Sequence, residues 1–380
     1  GAWGIDEEFS TVSVSYRWDG IPHAELIYTP RNVSFLGSDL FTNGNRVDIW
    51  MGYPRIRDLE SVYMGAFVIE HSELVQRDGR SPSLRLSCYG AGIILTREDK
   101  RRAFRSRRDS DIATDIAAEN GLSVEDSDGI PTIHKTPYVL DQVTQAGETD
   151  LEFLRRRADL YGYQCFTYRQ RLYFKSPKMQ KPAVVFGSVG AVPIISFTGG
   201  PDSIGSGMRH TYTDFDPITG ELVSLTSDGF ENEALVQTKD GIKSQLIRGP
   251  RDIVGGSFDR FVLGAGHQVD TKRVRTHVRS LAKKSAYLSS GSVILGTMPH
   301  VKPMDTVELF ASGRFGGPYF VTSVTHEVSS EMGKHSIMNL TRSFEGVATP
   351  LEKLVMSSSA QGRGESTDAV IVVEDTQNQG

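Results

Sequence analysis

The amino-acid sequence predicts a mainly β protein with an α+β insertion near its middle. Three observations carry that expectation. Two long regions, 1–95 and 186–345, hold short runs in which apolar and polar residues alternate, as they do in half-buried strands. Between them, 96–185 switches to helical spacing and then to a hairpin pattern. Glycine accounts for 38 of 380 residues, above the usual ~7%, which fits a chain with many turns and bulges.

In the first region, Phe9 to Tyr16 alternates from Ser10 onward, and Val47-Asp48-Ile49 and Leu84 to Cys88 do the same. Asn43-Gly44 and Asp78-Gly79 supply turn chemistry between the runs. The middle region opens on a basic run, Arg97 to Arg108, followed by Ser110 as a predicted N-cap. A short helix carrying Ile112, Ile116 and Ala117 then stops at Asn120-Gly121. A second helix is predicted over Asp150 to Tyr161. Thr149 and Glu152 have the spacing of a capping box, Leu151, Leu154, Ala158 and Tyr161 share one face, and Gly162 supplies a left-handed end. A hairpin follows, Tyr163 to Tyr168 and Leu172 to Phe174, turning at Arg169-Gln170.

In 186–345, His210 to Thr213 and Leu222 to Leu225 flank a turn at Asp216 to Gly220. The polar, glycine-rich stretch 228–268 reads as an insertion or long loop. A helix with a basic exterior is predicted from about Thr271 to Leu288. Strands follow at Val293–Leu295, Val307–Phe310, Tyr319–Val328 and Ile337–Leu340. The segment 346–380 is polar apart from Ala369 to Val373 and is expected to be either disordered or an attachment arm.

Composition narrows the function. Lys and Arg number 42 against 47 Asp and Glu, a net charge of −5, the wrong sign for a general nucleic-acid binder. The two cysteines, Cys88 and Cys165, cannot build a disulfide framework or a cysteine metal site. No apolar run approaches the ~18 residues of a membrane helix. These features predict a soluble protein assembled in a reducing cytoplasm.

The two β regions also resemble each other. Val47-Asp48-Ile49-Trp50 matches Val307-Glu308-Leu309-Phe310, and Gly65 to Ser72 echoes Gly317 to His326 with the second copy two residues longer. Leu84-Arg85-Leu86 matches Met338-Asn339-Leu340. On this alignment His71 and His326 occupy similar places. One β unit used twice has a consequence for assembly: three chains carrying two units each make a ring of six similar units.

Two blocks carry a family resemblance. The run from Asp150 to Tyr163 resembles the helix-and-hairpin signature of the phage late control gene D family, which includes tail hub proteins and the N-terminal part of type VI secretion spike proteins. Gly291 to Gly296, Val301 to Leu309 and Tyr319 to Val328 are similar to that family's C-terminal barrel. The likeness spans roughly 1–345. It implies two tube-like β-barrel domains, at 1–95 and at 186–345, plus a helix–hairpin α/β domain at 96–185. It also implies a homotrimeric structural hub between tail tube and spike, in a contractile phage tail or tail-like injection machine. The implied partners are other copies of the chain, the tail tube or a tube-initiator protein, the spike protein and other baseplate proteins. DNA or cargo would pass through the lumen without specific binding. The implied location is a virion tail baseplate or an extracellular injection particle, assembled in the host cytoplasm. The long β-helical segment of the secretion spikes is lacking, so the spike is expected to be a separate protein.

No catalytic, metal or cofactor residue is assigned, and no cofactor is expected. No Gly-x-Ser-x-Gly elbow, P-loop or H-x-x-x-H spacing is present. Glu148, Asp150 and Glu152 surround a helix N-terminus, where the helix dipole accounts for them. The basic run is expected to be a solvated loop or an inter-subunit ion-pair strip rather than a DNA contact. The aromatic group Tyr161, Tyr163, Phe166, Tyr168, Tyr173 and Phe174 is expected in the helix–hairpin core. The chain is therefore expected not to be an enzyme. The alternative reading is a cell-wall-degrading tail enzyme, a peptidoglycan hydrolase.

Overall fold

A computed structural model describes residues 9–30, 36–37, 39–51, 62–76, 81–178, 180–187, 192–201, 209–215, 222–227, 233–238, 241–246, 259–263, 276–278, 280, 289–309, 315–330, 332–342, 354–356 and 369–371. The chain is mainly β. The first region contributes β1 (Phe9–Arg17), β2 (His23–Tyr28), β3 (Arg46–Met51), β4 (Val62–Val75) and β5 (Ser83–Gly90). The middle region gives β6 (Asp99–Arg107), α1 (Asp109–Glu119), β7 (Leu140–Thr149), α2 (Asp150–Asp159), β8 (Gln164–Tyr168) and β9 (Arg171–Lys175). The chain continues through β10 (Val184–Phe186), β11 (Ile194–Pro201), β12 (Arg209–Phe215), β13 (Leu222–Ser227), β14 (Glu233–Thr238), β15 (Gly241–Leu246) and β16 (Asp259–Leu263). It closes with β17 (Ser289–Leu295), β18 (Thr306–Leu309), β19 (Gly317–Ser329), β20 (Gly333–Arg342), β21 (Leu354–Met356) and β22 (Ala369–Ile371).

Eleven strands make one sheet, along the path β11-β17-β20-β19-β1-β2-β5-β4-β3, with β18 on β19 and β10 on β18. That path is one five-stranded arrangement used twice. The first unit runs β1-β2-β5-β4-β3 and the second β11-β17-β20-β19-β18, with every neighbouring pair antiparallel. The register agrees residue by residue. Ile49 lies opposite Gly65 as Leu309 lies opposite Gly317, and Val47 opposite Phe67 as Val307 opposite Tyr319. A bulge at Glu70 in β4 recurs at Thr322 in β19, and one at Ser10 in β1 recurs at Ile195 in β11. Entry into the strands repeats as well: Gly44 and Met304 both have positive φ (94° and 73°) and donate to the Ile69 and Val321 carbonyls at 2.7 and 2.8 Å.

Period-two side-chain alternation gives each strand one face for the core. Val14 and Tyr16, Leu26 and Tyr28, Leu86 and Cys88, Val293 and Leu295, and Met338 and Leu340 all enter one hydrophobic cluster shared by both units. Burial of a large apolar side chain contributes roughly 1.5–3 kcal/mol, so this shared cluster ties the units together. A second cluster, built on Ile112, Ile116, Leu151, Phe153, Leu154, Leu172 and Phe174, holds α1, α2 and the β8–β9 hairpin.

Several expectations are corrected. The basic run is β6, hydrogen-bonded to β7, not a loop. Helix α1 begins at Asp109 and its N-cap is Arg108, not Ser110; Asp109 is drawn into the first turn by a buried pairing with Arg157. Helix α2 stops at Asp159, two residues short of Tyr161, while its capping box forms as expected, with Thr149 Oγ1 accepting from the Glu152 N–H and Glu152 accepting from the Thr149 N–H. The stretch 228–268 holds three strands, β14 to β16, rather than a loop. In 346–380, β21 pairs with β22. Of the helix over 271–288, residues 276–278 and 280 are described and helical, and the rest lies outside the described residues, as do Asp78-Gly79 and Asp216 to Gly220.

Candidate assembly edges

The register moves two of the sequence-level matches. Leu86-Ser87-Cys88, not Leu84-Arg85-Leu86, stands opposite β4 as Met338-Asn339-Leu340 stands opposite β19. His71 therefore matches Ser323, and His326 matches Leu74. The sequence alignment inserted two residues to bring the histidines together, whereas the strands themselves match without a gap.

Each unit has one long strand, and in the second unit that strand serves two neighbours on the same side. In β19, Gly317 to Phe320 pairs with β18, and Ser323 to Ser329 pairs with β1. In β4, Val62 to Val68 pairs with β3. Beyond Glu70, among the described residues, β4 is paired to β5 alone. Among the described residues, strand β11 is likewise paired on one side only, to β17. The open half of β4 carries Leu74, 57% exposed, and β11 carries Ile195, 64% exposed.

The covered joint shows what such an edge looks like when filled. Val14 lies opposite His326 and Tyr16 opposite Val324, and all four are buried. Trp18 N–H extends the ladder by donating to the Thr322 carbonyl at 2.9 Å. Thr325 Oγ1 donates to Ser15 Oγ at 3.0 Å across it. His326 Nδ1 meets Ser336 Oγ at 2.8 Å, and that hydroxyl donates to the Thr297 carbonyl at 2.8 Å. Burial, with the charges of His300 and Lys334, pulls the His326 pKa down to about 4.

Much of the basic run is paired within the chain. Arg97 pairs with Glu70, Lys100 with Asp150 (2.7 Å), Arg102 with Asp150 and Glu119 (2.6 Å each) and Arg107 with Asp115 (3.6 Å). Arg108 donates to the Thr136 and Pro137 carbonyls, and Arg101 and Arg105 are exposed. Burial opposes the charge on Asp150, but hydrogen bonds from Lys100 and Gln145 and the Arg102 charge outweigh it and hold the carboxyl below its usual range. Asp109 receives both Arg157 Nε and Nη2, at 2.6 and 2.9 Å, and the Tyr161 hydroxyl at 2.6 Å. These carboxylates lock β6, β7, α1 and α2 together.

The aromatic group divides: Phe174 and Tyr163 join the helix–hairpin core as expected, whereas Phe166, Tyr173 and Tyr168 pack with Met304 and Trp18 in a separate cluster. Phe166, Tyr173 and Phe174 are buried, Phe166 stacks on Tyr173 with centroids 4.9 Å apart, and Tyr163 meets Phe174 edge-on at 5.6 Å. Burial pushes the Cys88 and Cys165 thiols up to about 12, which leaves little thiolate for nucleophilic attack. Among the described residues, no three His, Cys, Asp or Glu side chains gather as a metal site, and no helix is long and apolar enough to cross a membrane.

Sequence reasoning did not pair β1 with β11, nor single out Leu74. In β11, Gly199 and Gly200 occupy the places of Val14 and Ser15, so the side-chain pattern is erased where the backbone repeats. The signal that could have found the open edge is an apolar run, Leu74-Val75, that continues past the bulge at Glu70.

Among solved structures, the chain is similar to a tail protein of Neisseria meningitidis MC58, at 10% identity and a TM-score of 0.60 over 88% of this chain and 92% of that one. It is similar to the 43 kDa tail protein of prophage MuSo2 from Shewanella oneidensis, at 11% identity and a TM-score of 0.61 over 88% and 94%. It is also similar to the E. coli c3393 protein, a type VI secretion component described as structurally similar to the T4 tail proteins gp27 and gp5, at 9% identity and a TM-score of 0.51 over 92% and 78%. At such identities the likeness is one of fold, and the fold is that of these tail proteins. No curated protein sequence matches the chain. A family model described as the Alg8 N-terminal domain matches residues 6–330, and the chain belongs to that family.

Proposed function

We propose that this chain is the central hub of a contractile phage tail or tail-like injection machine, a homotrimer that adapts a three-fold spike to a six-fold tail tube. Its kinship in this reading is with the late control gene D hub proteins. The observation that carries the proposal is the doubled unit: ten strands that repeat in order, register and bulge position. Three such chains offer six nearly equivalent β units around an axis, which a single-unit trimer cannot do. The likeness of fold to phage tail proteins supports the reading.

The hub would meet the tail tube or a tube-initiator protein on one side, the spike on the other and further baseplate proteins at its rim. DNA or cargo would pass through the lumen without specific binding, which agrees with Lys100 and Arg102 of the basic run being paired to the chain's own carboxylates. Its place would be the baseplate of a virion tail or an extracellular injection particle, after assembly in the host cytoplasm. Its work would be mechanical rather than catalytic. Native mass spectrometry of the full chain should give three times the chain mass; a stable monomer or dimer at micromolar concentration contradicts the hub. On a cell-wall zymogram the chain should leave no clearing, and clearing would favour a peptidoglycan hydrolase.

A further inference from the structure

The β1–β19 joint inside the chain is a template for a joint between chains. From the equivalence of the two units we infer that the open edge of β11 pairs with the open half of β4 in a neighbouring copy, antiparallel and in a register that the structure specifies. The inference rests on the trimeric reading and names the surface through which that trimer closes.

The register follows from shared partners. Val12 lies opposite Leu26 and Leu26 opposite Leu86; Phe197 lies opposite Val293 and Val293 opposite Met338. Phe197 is thus the counterpart of Val12, and Thr198 to Pro201 are the counterparts of Ser13 to Tyr16. On the other side, Leu86 lies opposite Ser72 and Met338 opposite Val324, so Ser72 to Val75 are the counterparts of Val324 to Glu327. Val12 to Tyr16 face Val328 to Val324 within the chain. Carried over, Thr198 of one copy faces Val75 of the next, Gly199 faces Leu74, Gly200 faces Glu73 and Pro201 faces Ser72.

Three features fit this pairing. Both edges are unpaired among the described residues, and an added strand would satisfy their outward backbone groups, apart from Pro201, which has no N–H to donate to Ser72. Leu74 is 57% exposed in the single chain, while its counterpart His326 is buried beneath β1, so a strand arriving here would cover it. Gly199 opposite Leu74 has no side chain to compete for that space. One such joint per copy alternates with the internal β1–β19 joint, and three copies then close one continuous ring of strands with neither of these edges left open.

The ladder also marks the best cross-link. Trp18 and Thr322 form a hydrogen-bonded pair, and antiparallel pairs alternate. Ser13/Glu327 and Ser15/Thr325 are therefore the close, non-hydrogen-bonded pairs, and Thr198/Val75 is the counterpart of the first. In the full chain, the double variant Thr198→Cys, Val75→Cys should oxidise to a covalent trimer on a non-reducing gel. The double variant Ser13→Cys, Glu327→Cys should oxidise within one chain and keep the monomer mass. The slipped pair Thr198→Cys, Glu73→Cys places the Cα atoms about 8 Å apart, beyond the roughly 4.4–6.8 Å that a disulfide spans, and should cross-link about tenfold less. A trimer by native mass in which Thr198→Cys, Val75→Cys links no better than the slipped pair overturns the inference and leaves the hub standing. A monomer by native mass, with the internal control still forming, overturns the hub and this joint with it.

Discussion

The two β units share one ladder and differ at one edge. In the second unit β1 covers the far half of β19, and the residue there, His326, is 4% exposed. In the first unit the matching half of β4 stands open among the described residues, and Leu74, at the same position, is 57% exposed. Identical backbone bookkeeping therefore supports opposite surroundings. The difference teaches that the repeat resides in strand order, bulges and glycine positions, while side chains are fitted to whichever neighbour each edge meets. An intact ladder with one copy of its edge unfilled points outward, to a partner that supplies the missing strand.

The core tests the shared part of this comparison with the largest effects. Leu86 and Met338 hold matching positions and are fully buried in the common cluster. Leu86→Ala and Met338→Ala should each lower stability by about 2–5 kcal/mol, by similar amounts and in a single urea transition. A large inequality, or two separate transitions, would break the equivalence of the units.

Acid should separate them. With the His326 pKa near 4 in the fold and about 6.5 in the unfolded chain, the unfolded chain takes up a proton first. The stability linked to neutral His326 is present above pH 6.5 and falls as pH drops toward 4, by on the order of 3 kcal/mol. At the matching place the first unit has Leu74, which does not titrate. Giving the second unit the first unit's residue, His326→Leu, should flatten the denaturation-versus-pH curve in that window, and a slope that persists unchanged would contradict the assignment.

Backbone should treat the units alike again. Gly65 and Gly317 have φ of 137° and 109° at matching places, and a Cβ would meet nothing closer than 3.6 and 3.7 Å. Gly65→Ala and Gly317→Ala should each cost about 1–3 kcal/mol through conformation alone, read as similar falls in Tm. The smallest effect belongs to Leu74→Ser, which should change the unfolding of the isolated chain by no more than about 0.5 kcal/mol while weakening assembly. A large loss of monomer stability would mean that Leu74 packs within its own chain.

Much of the fold was legible because the relevant residues report burial directly. Leu84 to Cys88 alternates, Thr149 and Glu152 cap α2, and the hairpin turns at Arg169, whose φ is 54°. The basic strand β6 was hidden because two of its three inward positions are Lys100 and Arg102, which point at Asp150, leaving Phe104 as the one apolar inward residue. The pairing of β1 with β11 was hidden for the converse reason, since glycine leaves no pattern. Of the candidate edges, sequence supplied the repeat but not its register, which depends on bulges at Glu70 and Thr322 that no residue type announces.

The central claim is that one β unit occurs twice per chain so that three chains present six. Electron cryomicroscopy of the assembled full-length chain, viewed along its axis, tests this most directly. The account predicts three chains forming a closed ring of six β units, with β1–β19 and β11–β4 joints alternating around it. A ring built from any other number of chains, or one in which β11 and the far half of β4 both face solvent, would contradict it.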